Sequence, residues 1–314
     1  MSDVLTATFA VSVLAGMVRI GTPLLFGALG ELVTERAAIM NLGLEGAMLN
    51  GAFAGFLVAH TTGSLWLGVG AAVVAGGVTG LLMAFLTSTL KLDQVISGLA
   101  INLLASGTTF YLYRVVFENV GSANLPNVAT FPPVSIPVLS QIPVLGEVLF
   151  QQRALTYIGL ATVPVIWFFL YRTRHGLEIR LIGENPRAAD MRGVSVAWRQ
   201  YSAVVFGTMM AGVGGAFLTL ASAGLFLPNI SGGRGYIAFA LVIFGRWSPW
   251  WILSGAMFFG LIEALQLQLQ AAGVDLPYQL LNALPYVLTI AALVTVRGRT
   301  RMPRALGIPY IRGA

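Results

Sequence analysis

Long apolar stretches, separated by short polar or proline-rich segments, make up most of this 314-residue chain. A helix that crosses a bilayer needs about 20 mostly apolar residues. Nine segments meet or approach that length: 4–30, 42–59, 65–90, 95–117, 155–171, 201–221, 236–246, 250–271 and 278–296. The seventh is short for a full crossing. The first is long and contains Arg19, so its opening turns are expected on the membrane surface as an amphipathic helix. The pattern predicts an all-α, polytopic transmembrane bundle of roughly 8–10 spans, forming one domain over residues 1–314.

Composition strengthens this reading. Apolar residues make up 57% of the chain and charged residues 10%, with a mean hydropathy of +0.82. A soluble domain carries roughly a quarter charged residues. So few charges do not cover a water-facing surface, whereas hydrocarbon needs no such cover. The 37 glycines suit close helix approach, and Gly51 with Gly55, and Gly76 with Gly80, have small-xxx-small spacing. The N-terminus lacks a basic n-region and a small-residue cleavage site, so residues 4–30 are expected to be a mature membrane segment.

Charge sets the expected orientation. Arg172, Arg174, Arg180, Arg187, Arg192 and Arg199 crowd one connecting segment, and Arg297, Arg299, Arg301, Arg304 and Arg312 crowd the tail. Basic residues in short loops mark the cytoplasmic side. Residues 172–199 and the tail 297–314 are therefore expected inside, together with Arg36 and Lys91, and the N-terminus outside. Of the 18 Lys and Arg, 14, Arg246 among them, then fall inside, and only Arg19, Arg114, Arg153 and Arg234 fall elsewhere. This asymmetry explains the net charge of +6, so no nucleic-acid partner is needed. The longest external segment, 118–153, holds Pro126, Pro132, Pro133, Pro137 and Pro143, and proline at that density opposes helix. An extended loop capping the outer face is expected there, as a lid or docking surface.

Several chemistries are excluded. The chain has no cysteine, and its two histidines, His60 and His175, lack metal-ligand spacing. The single lysine, Lys91, is not preceded by a glycine-rich phosphate loop, so ATP binding by that route is absent. No nucleophile–base constellation appears, which argues against an intramembrane enzyme, and no metal site or catalytic residue is expected.

Two features carry candidate function. The first is Asn185-Pro186, a helix start with Asn185 as N-cap and Pro186 at the first helical position, closed by Gly193. From spacing alone, an amphipathic turn held on anionic lipid is favoured over a helix that docks into a partner. The second is a set of polar residues at membrane depth: Asn41, Glu45, Asn50, Asn102, Arg234, Glu263, Gln266, Gln268 and Gln270. Glu45 and Glu263 stand out, either paired with Arg19, Arg114 or Arg234 or lining a pathway for an uncharged ligand. Gln266 and Gln270 share a helical face, with Gln268 roughly opposite. Glycine-rich breaks near Asn41–Gly46 and Ser231–Gly235 are expected to interrupt helices, as in transporters that present backbone to substrate.

At this point the sequence resembles a known family. The run Gly-x-x-x-Arg-x-Ile-Gly-Glu-Asn-Pro-x-Ala-Ala-x-x-x-Gly-Val, from Gly176 to Val194, is similar to the cytoplasmic loop of bacterial ABC importer permeases for ribose-type sugars, branched-chain amino acids and nucleosides. Asn41-Leu42-Gly43-Leu44-Glu45-Gly46 resembles the version in the nucleoside branch. Sugar permeases show Ile-Asp-Leu-Ser-Val-Gly there, and branched-chain amino acid permeases show Ile-Asn-Phe-Ala-His-Gly-Glu. Gly232–Ala238, Ile243–Trp247 and Glu263–Gln270 resemble the nucleoside branch as well.

The resemblance reverses the preference at the loop. It implies that Gly183, Glu184, Asn185, Pro186, Arg187, Ala188, Ala189 and Gly193 couple to an ATPase. It implies a substrate pathway including Asn41, Glu45, Asn50, Asn102, Arg234, Glu263 and Gln266. It also implies a multi-pass protein of the bacterial inner membrane. Its partners would be a second related permease, a cytoplasmic ABC ATPase holding ATP and Mg, and an extracytoplasmic substrate-binding lipoprotein. The implied function is a nucleoside permease subunit, with a sugar or branched-chain amino acid permease as the alternative. A gradient-driven secondary transporter is the outside rival, and a coupling loop has no role in it.

Overall fold

The computed structural model describes residues 7–117, 126–137, 139–272 and 302–311. Its elements run α1 (Ala7–Arg36), α2 (Leu44–Thr62), α3 (Leu65–Ala84), α4 (Gln94–Val116), β1 (Pro133–Ser135), α5 (Leu145–Leu149), β2 (Gln151–Arg153), α6 (Ala154–Arg172), α7 (Arg174–Glu184), α8 (Pro186–Met191), α9 (Val196–Ala216), α10 (Arg234–Phe244) and α11 (Pro249–Ala271). Wider π-helical turns, Phe85–Thr89 and Phe217–Ala223, continue α3 and α9. Among the described residues, six helices are long and apolar enough to cross a membrane: those containing α1, α3, α4, α6, α9 and α11. The fold is an all-α polytopic bundle, as expected.

The first eight expected segments each become a helix, and the ninth, 278–296, lies outside the described residues. Two of the eight depart from a simple span. α2 is 19 residues long but carries Glu45, Asn50 and His60. It tolerates them because α3, α4 and α9 sheathe it, so much of its surface meets protein rather than lipid. α10 has only 11 residues.

The first segment is corrected. α1 continues unbroken through Arg19 and Pro23 to Arg36, a length of about 45 Å, so its described turns do not form a separate surface helix. Its last six residues, including Glu31 and Glu35, are buried. The expectation for the Pro-rich segment is also corrected. β1 and β2 pair antiparallel, with Val134 opposite Gln152, and α5 closes the hairpin. Proline opposes a long helix there, but it is tolerated at the first residue of the short strand β1.

Two ends can be distinguished. At the hairpin end, Val128 N–H donates to Gly224 O (2.8 Å) and Phe131 N–H donates to Leu220 O (2.9 Å). At the basic end, α7, α8, the turn after α3 and residues 302–311 come together.

The bundle is held by close backbone approach. Gly51 meets Gly212, Gly76 meets Thr208, and Gly55 meets Gly68, so the small-residue spacing serves helix packing. The closest case is Gly215, where an added Cβ would stand 1.8 Å from the backbone oxygen of Met48. Gly215→Ala should therefore push α9 from α2 and destabilise the protein by about 1–3 kcal/mol. Gly107→Ala, at an open position, should leave thermal unfolding in detergent unchanged. An unchanged unfolding temperature for Gly215→Ala would contradict this packing.

Candidate functional site

The bundle's polar centre is the start of α10. From the hairpin end, residues 225–233 run without helix into the bundle, with Phe226 and Ser231 buried. Gly232 and Gly233 take positive φ (55° and 84°), which suits glycine, and α10 then begins. Its depth is fixed by neighbours: Ala238 lies against Gly27, well inside α1, and Arg234 reaches Glu263, in the middle of α11. The helix returns to the basic end at Trp247, beside the end of α1. The expected break at Ser231–Gly235 is therefore present, and α10 is a half-length helix starting at bilayer depth.

A helix start leaves unsatisfied N–H groups and a partial positive charge. Hydrocarbon cannot supply a partner. Glu45 does so: Gly233 N–H donates to Oε1 (2.8 Å) and Gly235 N–H donates to Oε2 (2.6 Å). Both carboxylate oxygens are thus engaged by backbone, and Glu45 positions α10 rather than standing free in a pathway. Only a residue without Cβ fits at Gly235, where a methyl would come within 2.4 Å of Glu45 N.

Next to this, Arg234 and Glu263 form an ion pair (2.5 Å) in a setting about three-quarters buried. Asn102 Oδ1 accepts from Gly46 N–H (2.7 Å), and its Nδ2 donates to Leu42 O and to the Tyr236 hydroxyl, both at 2.8 Å. Tyr236 itself is 42% exposed. Asn41 Oδ1 accepts from Gly43 N–H (2.9 Å), starting the connection into α2. The structure therefore gathers Glu45, Asn102, Arg234 and Glu263 around one helix start, with Asn41 at the connection that leads into α2. Asn50 lies apart and donates to Thr79 on α3 (2.9 Å). Gln266, Gln268 and Gln270 are half-buried in the last turns of α11. At Asn41–Gly46 the irregular backbone is the buried connection between α1 and α2, and α2 runs unbroken from Leu44.

Sequence reasoning missed three groups. Glu31 and Glu35 are fully buried at the end of α1. Glu31 Oε1 accepts from Asn41 N–H (2.8 Å), and Glu35 accepts from the Trp247 indole N–H. Arg36 donates to Trp247 O (2.8 Å). Glu35 and Arg36 fasten the α1 terminus to the turn after α10, and Glu31 fastens it to the connection into α2. Glu31 and Glu35 lie one turn apart on α1, and that spacing was the available signal. Tyr236 was missed because a phenol raises no alarm in an apolar segment.

At the basic end the Asn185-Pro186 signal is realised. Asn185 Oδ1 accepts from Ala188 N–H (3.0 Å), Pro186 opens α8, and Gly193 takes positive φ (80°) after it. α7, which the sequence reading did not separate, is capped by Thr173, whose hydroxyl accepts from Gly176 N–H (3.1 Å). Gly183 and Ala189 face inward, Gly183 against Arg36 O. Glu184, Asn185, Arg187 and Gly193 are exposed, and Pro186 and Ala188 are half-buried. Two exposed apolar side chains nearby, Met191 (80%) and Trp198 (68%), widen this face.

Residues 8–293 match the family described as branched-chain amino acid transport system / permease component. The chain belongs to that permease family. It is 41% identical to the putative glucose ABC transporter permease protein TsgC13 of Haloferax volcanii, over 96% of each chain. It is 36% identical to the guanosine ABC transporter permease protein NupQ of Bacillus subtilis, over 93% of each chain. It is 33% identical to the nucleoside ABC transporter permease protein NupC of Lactococcus lactis, over 96% of each chain.

The Arg234–Glu263 pair yields a test. Removing one partner of a buried pair leaves an uncompensated charge, which costs more than removing both. Arg234→Met should lower stability by about 3 kcal/mol, and Arg234→Met with Glu263→Gln should recover much of that loss in thermal unfolding. A double variant as unstable as the single one would refute mutual neutralisation.

Proposed function

We propose that this chain is a membrane permease subunit of an ATP-driven importer for nucleosides. The observation that carries this is the likeness to NupQ and NupC over more than nine-tenths of each chain. The Asn41–Gly46 segment at the polar centre supports the same branch. The site chemistry agrees. Glu45 is engaged by backbone and Arg234 by Glu263, while Tyr236, exposed beside them and held by Asn102, is uncharged, as are Asn50 and Thr79 elsewhere in the bundle. Such groups suit ribose hydroxyls and base edges rather than an ionic solute. The glucose name of the 41% identical relative favours a second reading, a sugar permease, because hydroxyl-rich sugars suit the same groups.

The basic end lies in the cytoplasm, where α8 docks a partner ATPase that binds ATP and Mg. The hairpin end faces outward and receives substrate from a binding lipoprotein. A second, related permease completes the pathway, and the chain sits in the bacterial inner membrane. The solute crosses unchanged, so this chain contributes no catalytic residue.

Uptake of labelled guanosine, uridine and glucose, in cells lacking this chain and cells with it restored beside its ATPase, tests the reading. Restored nucleoside uptake that collapses with a disabled ATPase is expected. Restored glucose uptake alone would shift the substrate, and uptake independent of the ATPase would overturn the ATP-driven mechanism. Glu184→Arg, at the end of α7, with Ala188→Arg, on α8, should abolish uptake while membrane insertion persists. Normal ATPase co-purification by this pair would remove α8 from the docking face.

A further inference from the structure

The sequence presents 297–314 as a basic tail, yet its described part, 302–311, is folded onto the functional end of the bundle. Ala305 N–H donates to Gly183 O (2.9 Å), and Gly307 N–H donates to Ala38 O (3.3 Å). The Tyr310 hydroxyl donates to Asp190 Oδ2 on α8 (3.1 Å). Pro303 and Leu306 supply the apolar contact: Pro303 lies against Gly183, and Leu306 joins the main core. Ala305 packs with Ala38, Ile182 and Ala189, which belong to the α1–α2 connection, α7 and α8. One short segment thus touches both helices of the basic loop and the connection that leads into α2.

We propose that residues 303–311 are a strap that positions α8 for its partner and ties its movement to the α1–α2 connection. This rests on the reading of α8 as the ATPase-docking helix. A six-residue helix is too short to hold itself in place. Its own anchors are Asn185 and the buried Ala189, and the strap adds a third point at Asp190. The strap also forms one wall of a groove of about 520 Å3 beside α8, lined by Lys91, Asp190, Ser195 and Tyr310 among others. The docking face therefore comprises α8 and the strap together. The weak Arg304–Glu184 contact (3.9 Å), between exposed side chains, adds little.

Two measurements decide the proposal. In the purified chain, amide exchange over 186–194 should quicken about fivefold in Tyr310→Phe, the loss of one modest hydrogen bond. Asp190→Asn should quicken it less in the Tyr310→Phe background than in the unchanged chain, and it should rise more when the chain stops after Met302. In the assembled transporter, the same variants should raise ATP hydrolysed per guanosine moved while the ATPase still co-purifies. Unchanged exchange overturns the strap. Faster exchange with an unchanged ATP ratio overturns its role in coupling. The exchange arm needs neither partner nor substrate, so a failure of the unmodified chain to move guanosine counts against the proposed function and not against the strap.

Discussion

The fold depends on a helix that begins inside the bundle rather than at its end. α10 starts at bilayer depth, and its free N–H groups must find partners inside the protein. Glu45 meets that demand with both oxygens. Much of the surrounding architecture follows. Gly235, after Arg234, lets backbone approach the carboxylate, and Gly233, before it, supplies the positive φ that opens the helix. The non-helical run 225–233, anchored by the buried Phe226 and Ser231, reaches that depth. Asn102 holds Gly46 and Leu42 so that the first turn of α2 aims Glu45 at its target. The carboxylate also sits at the positive end of the helix dipole, the end where an anionic side chain stabilises a helix.

The same helix links the polar centre to the basic end. α10 is short, so any displacement of its start is felt about 16 Å away at Trp247. There Glu35 and Arg36 grip the turn, and Glu31 grips Asn41, which leads back into α2 and Glu45. These contacts close a ring: α1 terminus, connection, α2, α10 and back. Gly183 and residues 305–307 attach to that ring at Arg36 and Ala38. A force applied at α8 therefore meets packed backbone rather than a loose loop, and packed elements shift as units.

What the sequence revealed and what it hid divide along the range of the interactions. Eight helices, the Asn185 cap and the small-residue packing at Gly51 and Gly76 were legible because each depends on residues a few positions apart. Glu45 was legible as unusual but not as a cap, because its partners lie 188 and 190 residues away. The end of α1 was misjudged because Glu31 and Glu35 look like a solvated exit. They are buried only because α7, Trp247 and the connection cover them. The hairpin hid behind its prolines, and the fold of 302–311 hid behind its arginines.

The charge pattern at depth also bears on what can pass. A pathway for an anion would present a helix start or an arginine to the solute. Here the α10 start is occupied by Glu45 and Arg234 by Glu263, so the protein supplies its own counter-charges. On the proposed pathway the groups that meet a solute are uncharged, the Tyr236 hydroxyl first among them, and these bind by direction rather than by charge. Such a surface can hold a sugar ring without trapping it, because no ion pair must be broken for release. It also gives little discrimination between a nucleoside and a hexose. This family includes relatives named for both, so selection between them falls to groups beyond this helix start.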